Sequence, residues 1–282
     1  MESYEEWTAA QESETVSVDG HGLEMAYRDE GSGGEGGGPL VFLHGIPTNS
    51  YLWREVAPAF EDERRVIVPD MVGYGSSDMH DGFDRSIRAQ EIAVEDLLSG
   101  LGIDSCTFVG HDLGGGVGLR LAAHRPDLVE ELVLSNAVAY DSWPVQFVTD
   151  MGLPSFPREN EPEEVRETLG ETFRQGVYGE ADDAFVEGMV EPWASEEGAV
   201  SLSRAASATN TNHTTEIDPS TIEAGTLLLW GAEDEFQPIE YAERLAEDVD
   251  ESELVALDEA YHWVVEDRPE AYREHLREFL DG

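Results

Sequence analysis

The sequence contains no lysine, and its 16 basic residues are all arginines, against 62 aspartates and glutamates. The formal net charge at pH 7 is therefore −46. A chain of that charge is repelled by phosphate backbones and by anionic lipid headgroups. The composition thus argues against a nucleic-acid partner and against binding to a membrane surface.

Long apolar runs and cysteines are also scarce. No apolar run approaches the ~18 residues that a membrane-spanning helix needs. The first residues, MESYEEW, lack the basic and apolar segments of a signal peptide, so we expect a cytoplasmic protein. The single cysteine, Cys106, cannot form an internal disulfide. Hydrophobic residues nevertheless make up 40% of the chain, which favours a folded domain over a disordered one.

The excess of acidic residues is spread over every segment of the chain. This composition resembles that of proteins from salt-accumulating halophiles. At ~1 M salt the Debye length falls to ~3 Å, which removes most of the self-repulsion of such a surface. An acidic interaction surface is the alternative, but a dispersed pattern disfavours it because interaction tails concentrate their charge.

A glycine-rich stretch at Gly31–Pro39 contains the pattern G-x-G-x-x-G at Gly31, Gly33 and Gly36. In a nucleotide site this pattern leads into a helix, whose N-terminus binds the phosphates. Here the glycines lead into a proline and the apolar run LVFL. The stretch therefore predicts a flexible turn rather than a phosphate site.

Short β-rich runs alternate with helical patterns along most of the chain, which predicts a largely parallel sheet with helices on both faces. Functional groups should then lie at the carboxyl ends of the strands. The alternation fails between Ser135 and Thr226, where only helical patterns occur. We therefore predict a core made of residues 1–137 and 214–282, with residues 138–213 as a helical cap. The predicted strands are Thr15–Val18, Leu23–Tyr27, Leu40–Leu43, Val66–Val68, Cys106–Val109, Leu132–Ser135, Thr226–Trp230 and Glu253–Ala256. The predicted helices of the core are Tyr51–Phe60, Ile87–Gly100, Gly115–His124, Ile239–Glu247 and Pro269–Leu280.

The strongest local motif is VGHDLGGG, from Val109 to Gly116. It follows an apolar strand pattern and precedes a helical one, which is the context of a nucleophile elbow, G-x-Nuc-x-G. The central residue is Asp112, and no G-x-S-x-G occurs elsewhere in the chain. An aspartate that caps a helix is the alternative interpretation. The flanking glycines favour Asp112 as a nucleophile.

Around this motif the chain resembles the α/β-hydrolase superfamily, over nearly its whole length. The closest resemblance is to the aspartate-nucleophile branch, the haloalkane dehalogenases and epoxide hydrolases. HGIPTNSYLWR (His44–Arg54) is similar to HGxPTxSYLWR of haloalkane dehalogenases, and DMVGYGSSD (Asp70–Asp78) resembles the loop after their next strand. The resemblance implies an α/β-hydrolase fold: an eight-stranded, mostly parallel sheet flanked by helices, with a helical cap inserted after the sixth strand.

An aspartate nucleophile changes the class of reaction. A carboxylate is already ionised at pH 7 and needs no base before it attacks. It can displace a leaving group from saturated carbon, which leaves an alkyl ester on the enzyme. Hydrolysis of that ester then requires a general base and an oxyanion hole.

Two further residues complete a predicted triad. His262, in DEAYHWVVEDRP, lies between the last predicted strand and the last predicted helix, where the family keeps its catalytic histidine. Asp234 follows the strand that ends at Trp230 and is predicted to orient the imidazole. The order Asp112, Asp234, His262 matches the nucleophile, acid, histidine order of α/β-hydrolases. Asp141, after the preceding strand, is a weaker alternative for the acid.

The resemblance also implies an oxyanion hole formed by the backbone N–H groups of Ile46 and Leu113. The HGIP turn that would place Ile46 there predicts a cis Ile46–Pro47 bond. Haloalkane dehalogenases usually have a tryptophan after the nucleophile, and many have an asparagine after HG, as halide donors. This chain has leucine and isoleucine instead. Cap residues are the remaining candidates for leaving-group or substrate contacts, with packing in the cap core as the alternative for each: Trp143, Trp193, Tyr140 and Tyr178.

We therefore predict a hydrolase that acts on a small organic substrate and water through an aspartyl ester, with haloalkanes as the first substrate class. An epoxide hydrolase that forms a diol is the first alternative. A non-catalytic ligand receptor on a hydrolase scaffold is the second, and the complete triad disfavours it. No metal-ligand spacing stands out, and the reaction needs no cofactor. The sequence does not predict the oligomeric state.

Overall fold

The computed structural model of the protein describes residues 2–31 and 37–282. Residues 32–36, which include Gly33 and Gly36 of the predicted glycine-rich turn, lie outside the described residues.

In the described residues, one eight-stranded sheet runs through the molecule in the order β1-β2-β4-β3-β5-β6-β7-β8. β2 pairs antiparallel with both β1 and β4, and the remaining neighbours pair parallel. This arrangement confirms the predicted α/β-hydrolase fold. The strands are β1 (Glu12–Val18), β2 (His21–Glu30), β3 (Leu40–Leu43), β4 (Val66–Pro69), β5 (Cys106–His111), β6 (Val129–Ser135), β7 (Gly225–Gly231) and β8 (Ser252–Leu257).

Helices cover both faces of the sheet, and between β6 and β7 the regular elements of the chain are all helical. The α-helices are α1 (Tyr4–Ala9), α2 (Ile87–Gly100), α3 (Leu113–His124), α4 (Gln146–Met151), α5 (Phe156–Glu159), α6 (Pro162–Gln175), α7 (Asp183–Val190), α8 (Glu196–Ser207), α9 (Asn212–Thr215), α10 (Ile239–Asp248), α11 (Val264–Asp267) and α12 (Pro269–Asp281). Four 3-10 helices lie at Ser50–Glu55, Ala57–Phe60, Glu191–Trp193 and Pro219–Thr221. The division into a core and a cap at residues 138–213 remains a prediction.

The predicted helix at Tyr51–Phe60 is wrong in type. The structure has two short 3-10 helices there, Ser50–Glu55 and Ala57–Phe60. Pro58 lies in the second helix and has no N–H, and its ring would clash with the carbonyl four residues earlier in a continuous α-helix. The Ile46–Pro47 bond is cis, as predicted.

The central strands are the core of the molecule, and every residue of β3, β4 and β5 is buried. α3 packs on β5 and β6, and α2 packs on α3. Because β3 and β5 to β8 run parallel, their carboxyl ends lie along one edge of the sheet, and the loops that follow them meet there. Within residues 2–31 and 37–282, none of the helices has the length and apolar character needed to cross a membrane.

Candidate active site

Asp112 stands at a sharp turn between β5 and α3. Its backbone has φ 50° and ψ −117°, a conformation that costs a non-glycine residue of order 1–3 kcal/mol. Two glycines make the turn possible, because a Cβ at Gly110 would overlap the backbone of Gly114, and one at Gly114 would overlap the carbonyl oxygens of Leu43 and His44. The G-x-Asp-x-G pattern therefore reflects close approach of three backbone segments. This turn presents the Asp112 side chain at the carboxyl edge of the sheet.

The two carboxylate oxygens of Asp112 have different surroundings. Oδ1 accepts a hydrogen bond from the Ile46 N–H (2.7 Å), and the Leu113 N–H also bonds the carboxylate. Oδ2 lies 3.9 Å from Nε2 of His262. Burial raises the pKa of Asp112 to about 6, although His262 and the two backbone N–H groups lower it. The carboxyl is therefore largely ionised at pH 7.

His262 lies in the loop between β8 and α11. Its Nδ1 is 2.9 Å from Oδ2 of Asp234, which leaves Nε2 directed toward Asp112. Burial lowers the pKa of His262, but the Asp234 carboxylate, its hydrogen bond and the Asp112 carboxylate outweigh burial and raise the pKa above its ordinary value. The rings of Phe236 and Trp263 contact the imidazole edge to face, with centroids 5.3 and 5.1 Å away. These contacts fix the orientation of the ring.

Asp234 is held by three hydrogen bonds. Its side chain is fully buried. Oδ1 accepts a hydrogen bond from the Phe236 N–H (2.7 Å). Oδ2 accepts one from Nδ2 of Asn136 (2.6 Å) and one from Nδ1 of His262 (2.9 Å). The structure thus brings together the three residues of the predicted triad, from the loops after β5, β7 and β8. Asp141, the weaker alternative for the acid, is exposed and lines a surface cleft with Arg244 instead.

Asn136 is a site residue that sequence reasoning missed. It is the first residue after β6, is fully buried and has φ 46°. Its Oδ1 accepts a hydrogen bond from the Gly231 N–H at the end of β7 (3.2 Å). It therefore ties the ends of β6 and β7 together while it holds Asp234. The available signal was its position directly after β6, the strand that lies between β5 and β7, which precede Asp112 and Asp234.

A small pocket opens between Asp112, His262 and the helical segment. The space available to the centre of a water-sized sphere is about 30 Å³, which is about two to three times what one water needs. Its wall is mostly apolar. On the side of the helical segment it is lined by Trp143, Pro144, Val145, Phe147 and Val148.

The four side chains predicted to contact the leaving group or substrate have other partners or positions. Trp143 lines the pocket, but its Nε1 donates to the Thr214 hydroxyl (2.7 Å). The Trp193 Nε1 donates to the Pro47 carbonyl (2.7 Å). The Tyr140 hydroxyl donates to Asp248 (2.6 Å) beside the cleft that contains Asp141, and Tyr178 is 42% exposed. The structure therefore does not support these four as donors to a bound ligand. The polar atoms of the first three already donate to protein oxygens, and the Tyr178 ring lies outside the pocket.

Two polar residues of the pocket wall were also missed. Gln237 follows Asp234 by three positions, and Trp263 follows His262 directly. Adjacency to a predicted triad residue was the only signal.

In residues 2–31 and 37–282, no group of three or more His, Cys, Asp or Glu side chains is arranged to hold a metal ion.

A comparison of the sequence with models of known protein families identifies the family of this chain. Residues 38–269 match the family model described as alpha/beta hydrolase fold. The chain belongs to that family. The matched range of this alpha/beta hydrolase includes Asp112, Asp234 and His262.

Relatives of this alpha/beta hydrolase include two named enzymes. It is 40% identical over 131 residues to a soluble epoxide hydrolase of Corynebacterium sp. (strain C12). The matched residues make up 44% of each chain, so the match spans less than half the length of that relative. It is 27% identical over 261 residues to haloalkane dehalogenase 2 of Mycobacterium bovis, which covers 86% of this chain and 87% of that one. Among solved structures, an alpha/beta hydrolase fold protein from Burkholderia ambifaria superposes with a TM-score of 0.83 over 95% of this chain and 100% of that one, at 24% identity. That likeness supports the fold alone.

Proposed function

We propose that this protein hydrolyses a bond at an electrophilic saturated carbon through an ester on Asp112, and that its substrates are small organic halides. The observation that carries the proposal is the division of the Asp112 carboxylate. Oδ1 accepts a hydrogen bond from the Ile46 N–H, and Oδ2 faces Nε2 of His262. Such a division provides separate positions for an oxyanion and for a nucleophilic oxygen.

In the first step, Oδ2 of Asp112 attacks the substrate carbon. A C–O bond forms while the carbon–halogen bond breaks, and the electron pair leaves with the halide. No proton moves in this step, because the Asp112 carboxyl is already largely ionised at pH 7. The apolar wall of the pocket leaves the carboxylate less hydrated, which favours attack.

In the second step, His262 takes a proton from a water molecule as that water attacks Cγ of Asp112. The Oδ1 oxygen becomes the oxyanion; the Ile46 N–H already donates to it, and the Leu113 N–H bonds the same carboxylate. When the tetrahedral intermediate collapses, the Cγ–Oδ2 bond breaks and the alcohol leaves with the original Oδ2. The proton held by His262 passes to that alcohol oxygen, while Asp234 stabilises the imidazolium in between. The Asp112 carboxyl, which now contains the oxygen of the water, releases its remaining proton and returns to the carboxylate.

An epoxide hydrolase is the second candidate, and the 40% identity to a soluble epoxide hydrolase favours it. Opening an epoxide produces an alkoxide, which requires an acidic donor such as a tyrosine hydroxyl. No tyrosine lines the pocket among the described residues. A departing halide needs no proton, so we place halides first and expect bromides and iodides to react faster than chlorides.

The test is to trap the ester. The change of His262→Gln removes the base of the second step and should leave the first step intact. Mixed with 1-bromopropane in molar KCl, the variant should gain the mass of one propyl group on the peptide that contains Asp112. His275→Gln, which changes a histidine in α12, is the matched control and should turn over without accumulating the adduct. A His262→Gln protein that releases bromide yet never carries the alkyl group would contradict the ester mechanism. 1,2-Epoxypropane, which has the same three-carbon chain, in place of the bromide decides between the two substrate classes.

A further inference from the structure

Two polar atoms in the wall of the active-site pocket have no hydrogen-bond partner among the described residues. They are Oε1 of Gln237 and Nε1 of Trp263, and both are inaccessible to solvent. The two residues are only 2% and 1% exposed, and both line the pocket with Asp112 and His262. A buried polar group without a partner destabilises a fold, so each such group calls for an explanation.

Gln237 is fixed in position by its backbone. Its carbonyl oxygen accepts a hydrogen bond from the Trp230 Nε1 (2.7 Å), and the next residue is Pro238. The neighbouring Phe236 packs its ring on His262. The side chain is therefore held among the residues that line the pocket, beside the triad, and its amide carries an unpartnered acceptor, or a donor if the amide rotates by half a turn.

The other polar groups of the wall already have partners. The Thr172 hydroxyl donates to the Thr168 carbonyl (3.0 Å), and the Thr209 hydroxyl donates to the Ala206 carbonyl (2.7 Å). No arginine lines the pocket among the described residues, and the Asp112 carboxylate gives the site a negative charge. An anionic substrate would be repelled, whereas a neutral polar group would satisfy Gln237 and Trp263.

We propose that Gln237 and Trp263 bind a neutral hydroxyl or primary carboxamide of the substrate, next to its electrophilic carbon; this inference rests on the proposed function. Either group both donates and accepts. Its oxygen would accept from the Trp263 N–H, and its O–H or N–H would donate to Oε1 of Gln237. Since the pocket is small, with about 30 Å³ open to the centre of a water-sized sphere, the substrate is a short-chain compound of the 2-haloethanol or haloacetamide class.

Turnover of two isosteric substrates tests the proposal. 2-Bromoethanol and 1-bromopropane differ by a hydroxyl in place of a methyl group. The wild-type protein should favour 2-bromoethanol in kcat/KM, and Gln237→Met should reduce that preference by about tenfold, the effect of one well-made hydrogen bond. Because Oε1 of Gln237 has no protein partner, the substitution should not lower the Tm.

Gln90→Met is the matched control. Gln90 is also buried, but its amide makes two hydrogen bonds with the backbone of Val72 (3.1 and 2.8 Å). Its substitution should lower the Tm and leave the ratio of the two kcat/KM values unchanged. Trp263→Phe, which removes the indole N–H, should reduce the preference for 2-bromoethanol as Gln237→Met does.

Binding without chemistry separates this inference from the proposed function. Propionamide binding, followed by saturation-transfer difference NMR, should be weakened about tenfold by Gln237→Met. If neither bromide is hydrolysed but propionamide binding depends on Gln237, the proposed chemistry fails and the inference stands. If the wild-type protein hydrolyses both bromides equally, or Gln237→Met slows both equally, the inference is wrong and the chemistry stands. Propionamide binding that ignores Gln237 also overturns it.

Discussion

The Asp112 carboxylate destabilises the folded protein. Its pKa is raised to about 6 in the fold, above the value near 3.9 of an unfolded chain. The stability associated with its protonated form is therefore present at low pH and is lost as the pH rises through about 6. Asp112→Asn should increase the free energy of unfolding at pH 8 by roughly 1–3 kcal/mol, and by less at pH 5.

Chemical denaturation of the wild-type and Asp112→Asn proteins at the two pH values measures this effect. Asp104→Asn, which removes one exposed charge that makes no ion pair in the described structure, is the control and should change stability by no more than about 0.5 kcal/mol. A variant less stable than the wild type at pH 8 would show that the carboxylate supports the fold rather than straining it.

The two steps of the proposed reaction should lose activity at different pH values. Ester formation needs ionised Asp112 and should decline as the pH falls through about 6. Ester hydrolysis needs neutral His262, whose pKa is raised, chiefly by Asp234 against the effect of burial. Turnover should therefore decline at a higher pH than ester formation, and the ester should accumulate between the two. Rapid-quench mass spectrometry from pH 5 to 9 measures both steps. Ester formation that accelerates as the pH falls would contradict the assignment of Asp112.

Site residues could be predicted when the sequence pattern that identifies them lies next to them in the chain, and not when their role depends on residues far away in sequence. Asp112 follows β5 directly, and Asp234 and His262 lie in the short loops after β7 and β8, so the strand pattern and the family motif were enough to select them. The partner of the Trp143 indole, Thr214, is 71 residues away along the chain, so its hydrogen bond exists only in the folded state. Asn136 was missed for the same reason, because its role depends on Gly231 and Asp234, about a hundred residues later.

At the scale of elements, the strands were predictable and the short helices were not. Every residue of β3, β4 and β5 is buried, and such strands produce continuous apolar runs that are visible in the sequence. The segment after Asn49 has the spacing of a helix but contains Pro58, and it forms two 3-10 helices. The ends of β1 and β2 were also missed. Their outer residues are exposed and are held by pairing between strands, which no local pattern reveals.

The junction of β5 and α3 should tolerate no side chain at Gly114. A methyl group there would overlap the Leu43 and His44 carbonyl oxygens, which belong to a neighbouring strand and its loop. Gly114→Ala should lower the free energy of unfolding by roughly 1–3 kcal/mol and move Asp112 off the Ile46 N–H. Gly225→Ala, at the start of β7 where a Cβ meets open space, is the control and should be within about 0.5 kcal/mol of the wild type. Equal stability of the two variants would mean that the elbow can relax.

At the scale of the whole molecule, the main feature is a formal net charge of −46. Even if each of the 16 arginines neutralised one carboxylate, as Arg204 does with Asp81 (2.8 Å) and Arg166 with Glu191 (2.8 Å), the remaining 46 acidic charges would repel one another. At ~0.1 M salt this repulsion acts over ~10 Å, and at ~1 M over ~3 Å. We expect the protein to lose its far-UV circular dichroism on dialysis from multimolar KCl to ~0.1 M and to regain it when salt is restored.

Replacement of KCl by sucrose separates charge screening from a general stabilisation by cosolvents, because sucrose strengthens burial without screening charge. Sucrose should fail to preserve the fold at low salt. A native spectrum and an unchanged Tm at ~0.1 M KCl would show that the acidic surface is tolerated without salt.

The contact between Gly176 and Trp263 limits which segments of this protein can be exchanged with those of its relatives. A methyl group at residue 176 would occupy the space of the Trp263 indole, and the Gly176 carbonyl accepts a hydrogen bond from the backbone N–H of Trp263 (3.3 Å). Since Trp263 is joined to His262 by a peptide bond, a graft that shifted the end of α6 would displace the proposed base. The segment 145–160 contains α4 and α5, which pack on α8, and it meets the active site as pocket wall, through Val145, Phe147 and Val148. Libraries that recombine this chain with its relatives should therefore exchange residues 145–160 and keep the seam at residue 176 unchanged.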